Sequence, residues 1–130
     1  MIRKFSIVAA LAVLAQPVLA QDEAAIAETD PAAAYEAARN QLGILKYCQA
    51  QGFTDGQAVA VQERVLGMIE QGDAAAGDEA EAKGAEGVVS AMGAEVTLTD
   101  SAEQQGTTPE AQCQQIAGLV TQMGEQLPAE

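Results

Sequence analysis

The sequence predicts an all-α fold, a small bundle of three to five short helices closed by one disulfide. Three observations carry that expectation. Apolar residues recur at helical spacing in several separate segments. Those segments open on capping residues or prolines and close on glycines or a proline. The two cysteines, Cys48 and Cys113, both fall on apolar stripes. A chain of 130 residues has the length of a single domain.

The first twenty residues read as an address. Arg3 and Lys4 precede an apolar run from Phe5 to Ala15, and Val18-Leu19-Ala20 supplies the small residues of a cleavage site, predicting a secretory signal peptide cut between Ala20 and Gln21. The apolar run falls well short of the roughly 20 residues that a membrane-spanning helix needs. Removing 20 residues from 130 leaves 110. Losing two of the six bases while keeping all 19 acids takes the formal charge from −13 to −15. Residues 21–30 are acidic and lack apolar periodicity, which predicts a disordered tail, with the helical domain occupying residues 31–130.

The first helix begins at Asp30-Pro31, a capping carboxylate followed by a proline where no N–H is needed. Tyr35, Ala38, Leu42, Leu45 and Cys48 form its apolar stripe, and Gly52 offers a left-handed stop. Thr54 with Gln57 forms a capping-box pattern opening a second helix, whose stripe runs through Ala58, Val61, Val65, Met68 and Ile69 to Gly72. Residues 73–77 read as a loop. Asp78 with Glu81 repeats the capping logic and predicts a third helix through Ala82, Ala85, Val88, Val89 and Met92. That helix would carry Gly84 and Gly87, each costing about 1 kcal/mol relative to alanine. Val96-Thr97-Leu98-Thr99 alternates like a strand but has no evident partner, so residues 95–106 are expected to form a loop and a short helix capped at Thr97 or Thr99. The last helix starts at Thr108-Pro109-Glu110. It carries Cys113, Ile116, Ala117, Val120, Met123 and Leu127 on one stripe, closed by Pro128.

Composition narrows function. The negative charge opposes binding to nucleic acid, whose phosphates need Lys and Arg. No His is present, so the usual general base and commonest metal ligand are missing. No nucleophile elbow or glycine-rich phosphate loop occurs, and a carboxylate pair for glycoside hydrolysis would need a cleft that a chain without Trp is poorly equipped to build. The acids Asp73, Asp78, Glu79, Glu81 and Glu86 do not follow a calcium-loop pattern and read as a solvated face. These observations predict a protein that is not an enzyme, with no cofactor, no metal and no nucleic-acid partner, and they identify no small-molecule substrate.

Two cysteines in an exported chain are expected to pair, and Cys48 and Cys113 lie near adjacent ends of the first and last helices if these run antiparallel. A redox or metal role would call for a CxxC spacing or a nearby His, and neither exists. The most unusual stretch is Lys83 to Glu95. Read as helix, Gly84, Gly87, Ser90, Ala91 and Ala94 make a ridge of small residues suited to close helix packing or assembly.

The strings Asn40-Gln41-Leu42-Gly43-Ile44-Leu45-Lys46-Tyr47-Cys48 with Gly52, Lys83-Gly84-Ala85-Glu86-Gly87 with Ser90-Ala91-Met92-Gly93, and Gly106-Thr107-Thr108 ahead of Cys113 form a distinctive set. Together they resemble small exported proteobacterial proteins described as pore-forming members of the early secretory antigenic target family. The similarity runs from about Ala38 to Leu127, although the wider family's Trp-x-Gly turn is absent. The resemblance implies helical hairpins, dimers, and membrane disruption or specialised secretion. A mature charge of −15, from 4 bases and 19 acids, instead opposes contact with anionic lipid, because membrane-active helices carry Lys or Arg on the polar face. Two expectations follow: a membrane-active exported protein, or a soluble periplasmic interaction or chaperone-like protein working through apolar helix faces.

Overall fold

A computed structural model describes residues 30–91 and 93–129. The expected signal peptide, its Ala20–Gln21 junction and the expected tail up to residue 29 lie outside the described residues. In chain order the elements are α1 (Pro31–Ala50), α2 (Gln57–Met68), α3 (Ala74–Ala85), β1 (Val88–Ala91), β2 (Ala94–Thr97), α4 (Leu98–Gln105) and α5 (Pro109–Gly124). The helical class holds, with five helices among the described residues. The addition is a two-stranded antiparallel hairpin between α3 and α4.

The first helix starts as its sequence dictates. Asp30 Oδ1 accepts the N–H of Ala32 at 3.0 Å, Pro31 takes the first helical position, and the chain turns out at Gly52 with φ of 77°. α1 is the central element, packed along α3 and touching α2, β1 and α5. It therefore buries more than the one predicted stripe. Leu45 points into a cluster with Ala58, Val61, Ala117 and Val120, while Ile44 and Cys48 enter a second cluster with Leu98 and Cys113. Ile116 packs against both. Cys48 and Cys113 form the expected disulfide across 65 residues of chain, fully buried where α1 ends and α5 begins.

α2 departs from its predicted start. Thr54 does not cap it: Gly56 is the N-cap, Asp55 Oδ1 accepts from Gln57 N at 3.0 Å, and the Thr54 hydroxyl is buried without a partner. The cause lies upstream, where Phe53 N–H returns to Cys48 C=O and Phe53 packs into the disulfide cluster, so the turn out of α1 consumes the residues read as a cap. Met68, placed on the apolar stripe by spacing, is 54 % exposed because α2 ends there. At the other end of the chain Thr108 Oγ1 accepts from Ala111 N at 3.2 Å, as its sequence predicts. α5 stops at Gly124, before Pro128, and leaves Met123 partly exposed.

The largest correction falls on residues 73–97. Residues 74–77 are helical, not loop, because Asp73 caps α3 by accepting Ala76 N–H at 2.8 Å. The helix then ends at Ala85 instead of running to Met92. Gly87 adopts φ of 82°, and its N–H closes on Gly84 C=O at 2.8 Å, a left-handed stop that a helical reading of the segment treats as an interior cost. Val88-Val89 beyond it are β-branched and form a strand. The Val96-Thr97 alternation is likewise a strand, and its partner is the preceding segment, with Val89 opposite Val96 and Ala91 opposite Ala94. α4 follows with Thr97 Oγ1 accepting Asp100 N–H at 3.0 Å, one of the two predicted caps.

Candidate functional site

The predicted ridge residues do not form one helical ridge. Gly84 lies on α3, Gly87 in the turn, Ser90 and Ala91 on β1, and Ala94 on β2. The segment is nonetheless where the structure concentrates its unusual features, because it turns a helix into an exposed hairpin.

The base of this unit is a seam between α1 and α3. A Cβ built on Gly43 would stand 2.8 Å from the Gly84 Cα, and one built on Gly84 would stand 2.9 Å from the Gly43 Cα. The two backbones meet glycine on glycine, a separation that any side chain would open. Charges bracket the seam. Arg39 Nε donates to Glu81 Oε2 at 2.8 Å and Arg39 Nη2 to Asp78 Oδ1 at 2.6 Å, while Lys46 Nζ reaches Glu81 Oε1 at 2.6 Å. Tyr47 of α1 packs over Gly87, placing the turn directly above the seam.

From this base the first strand of the hairpin is bonded along its outer edge by one side chain. Asn40, 3 % exposed, donates from Nδ2 to the carbonyls of Val88 at 2.9 Å and Ala80 at 3.0 Å. Its Oδ1 accepts the N–H of Ser90 at 3.0 Å. The register explains why those groups are available. In this register the pairs Ala91/Ala94 and Val89/Val96 exchange the ladder bonds. The Leu98 N–H to Gly87 C=O bond at 2.8 Å continues the same alternation. The backbone groups of Val88 and Ser90 therefore face outward on β1, and those of Glu95 and Thr97 face outward on β2. Asn40 closes the first edge as a third strand would. Nothing among the described residues closes the second.

Beside that second edge lies a cleft of about 480 Å³ between β2 and α4, lined by Val88, Val96 and Thr97 and by the acids Glu95, Asp100 and Glu103. Glu95 is tied to α3 through Lys83 Nζ at 2.6 Å, and Lys83 also reaches Glu79 at 3.3 Å. The hydrogen bond from Lys83, reinforced by its charge, holds the Glu95 carboxyl below its usual range. The bonds to Glu95 and then Glu79 push the Lys83 ammonium up. Asp100 and Glu103 have no basic partner among the described residues.

The arrangement offers hydrogen-bonding backbone and a negative rim, which suits recognition of a polypeptide. Asn40 and Gly43 escape a reading by apolar periodicity, although a polar Asn and a Gly inside the most apolar part of α1 are its visible signal. No group of three or more His, Cys, Asp or Glu among the described residues is placed to hold a metal. The acids singled out in the sequence are dispersed: Asp73 caps a helix, and Asp78, Glu79 and Glu81 pair with bases. Compared with protein-family models, with curated proteins and with solved structures, the chain has no match.

Proposed function

We propose that this chain is an exported, non-enzymatic interaction domain that holds a partner polypeptide at its hairpin. The observation that carries the reading is the inequality of the two hairpin edges: Asn40 occupies one, and the other is open beside a cleft. Proteins ordinarily cover or blunt an unpaired strand edge, and an edge left open on a braced scaffold is suited to accepting a segment of another chain. Export is supported by the signal-like residues 1–20 and by the Cys48–Cys113 disulfide, a bond that persists in oxidising compartments.

A second reading, membrane activity, is favoured by the family resemblance and by the glycine-on-glycine seam, a form of contact common between membrane helices. Against it stand the mature charge and the fact that no helix among the described residues is long and apolar enough to cross a membrane.

One paired experiment separates them. Dye release from anionic and zwitterionic vesicles is measured at about pH 7 and about pH 4.5, with oxidised and reduced protein. In parallel, light scattering follows the aggregation of a denatured basic model protein. Intact vesicles together with suppressed aggregation support the interaction domain. Release of dye with the protein in the vesicle pellet overturns it in favour of membrane activity, and aggregation unchanged at stoichiometric protein counts against it as well.

A further inference from the structure

The partner's chemistry can be taken one step further, on the reading that the hairpin is the binding element. We infer that the outer edge of β2, beside Asp100 and Glu103 of α4, accepts an extended peptide carrying Lys or Arg at every second residue, added as a third strand.

The backbone sets the form of the ligand. The N–H and C=O of Glu95 and the N–H of Thr97 face outward at a spacing of two residues, the repeat of an added strand. A helix presents no free N–H and C=O along its side and cannot satisfy them. The edge is short, so a bound strand gains few main-chain bonds and depends on side chains for affinity. Those side chains are chosen by period. Glu95 and Thr97 point to one face of the hairpin together with Val88, and this face opens into the cleft with Asp100 and Glu103. Alternate residues of an added strand project over that same face, so basic residues at every second position meet the acids while the intervening ones turn away.

Charge selects the occupant. All four bases among the described residues have partners other than Asp100 and Glu103: Arg39 and Lys46 pair with Glu81, Lys83 with Glu79 and with Glu95 at the rim of the cleft, and Arg64 donates to the carbonyl of Pro128. No resident cation competes for Asp100 and Glu103. A second copy of this chain is a poor occupant, because pairing β2 with β2 would set Glu95, Asp100 and Glu103 against their own kind, and like charges directly opposite destabilise a strand pair. An acidic peptide fails for the same reason.

The test uses the oxidised full chain and three peptides, followed by amide NMR with hydrogen exchange. One peptide alternates lysine and threonine. The second has the same composition with its lysines in one block. The third is the alternating peptide N-methylated at the edge-facing residues, which removes its donors and keeps its charge. The alternating peptide is expected to bind about tenfold more tightly than either control. It should also slow exchange at the amides of Glu95 and Thr97. Asp100→Asn with Glu103→Gln should weaken it several-fold while leaving exchange at Val89 and Val96 unchanged. Equal binding of all three peptides overturns strand addition in favour of simple charge attraction, as do shifts confined to surfaces away from β2 and α4. If no peptide binds yet aggregation of the model protein is still suppressed, strand addition falls and the interaction domain survives. If both fail, both fall.

Discussion

The amide of Asn40 and the backbone of Ser90 meet as neighbouring strands do: Asn40 Oδ1 accepts the Ser90 N–H at 3.0 Å while its Nδ2 donates to Val88 C=O two residues back. Asn40→Ala would leave the Ser90 N–H and the Val88 C=O without partners, while the Ala80 carbonyl, inside α3, loses only its second bond. Each orphaned buried group costs about 1–3 kcal/mol, so a loss of about 3 kcal/mol in total is expected once water reaches part of the opened edge. Asn40→Asp keeps an acceptor for Ser90 but sets a buried carboxylate oxygen against the carbonyls of Val88 and Ala80, and at neutral pH should cost more than the alanine. Denaturant unfolding of the three proteins checks the order.

The Gly43–Gly84 contact makes a sharper prediction. A Cβ at either position is aimed at backbone, which cannot rotate away, and the two helices must separate. Gly43→Ala and Gly84→Ala should each destabilise by about 3 kcal/mol despite the better helix propensity of alanine. Gly67→Ala on α2, where an added Cβ meets nothing within 4 Å, is the control and should be neutral or mildly stabilising. Thermal melts of the three variants decide the matter.

Breaking the disulfide should be costly because it closes 65 residues of chain in a protein with a small core. The chain-entropy model gives roughly 4 kcal/mol for a loop of this length. Cys48→Ala with Cys113→Ala is expected to lower the unfolding free energy by about that amount, measured in guanidinium against the oxidised parent. A loss below about 1 kcal/mol would show that the two apolar clusters hold the ends of α1 and α5 together unaided.

The Lys83–Glu95 pair sets a pH window. Glu95 has its carboxyl depressed below the ordinary 4.5 by the hydrogen bond and charge of Lys83, so its contribution is present above the unfolded value and is lost as pH falls through the folded one. Lys83 is raised above its ordinary 10.5 by its bonds to Glu95 and Glu79, so its contribution is present below that value and is lost as pH rises through the raised one. The bond between α3 and β2 should therefore hold from about pH 5 to about pH 10. A carbon-detected NMR titration of the Glu95 carboxyl should give a midpoint below 4.5, and Lys83→Met should move it back up.

Much of this architecture is written in local sequence. Asp30-Pro31 and Thr108-Pro109 mark their helices because a cap and a proline act within one turn. The cysteine pairing follows from two residues and from the export that residues 1–20 predict. What escapes is non-local. Gly87 reads as a helix interior until Val88 and Val89 are recognised as the partner of Val96 and Thr97, and that pairing folds back a helix-like run of small residues on itself. Thr54 fails as a cap because Phe53 is drawn into the disulfide cluster, a tertiary effect invisible to spacing. Asn40 is the clearest case. Its role exists only once β1 lies beside α1, and no periodicity announces it.

The unequal edges of the hairpin can be measured without any partner, by hydrogen exchange of individual amides in the oxidised protein at neutral pH. Slow exchange at Ser90, bonded to Asn40, and at Val89 and Val96, bonded to each other's strands, should contrast with fast exchange at Glu95 and Thr97. Protection of Glu95 and Thr97 equal to that of Ser90, or a Ser90 amide exchanging as fast as theirs, would contradict an open β2 edge set against a β1 edge closed by Asn40.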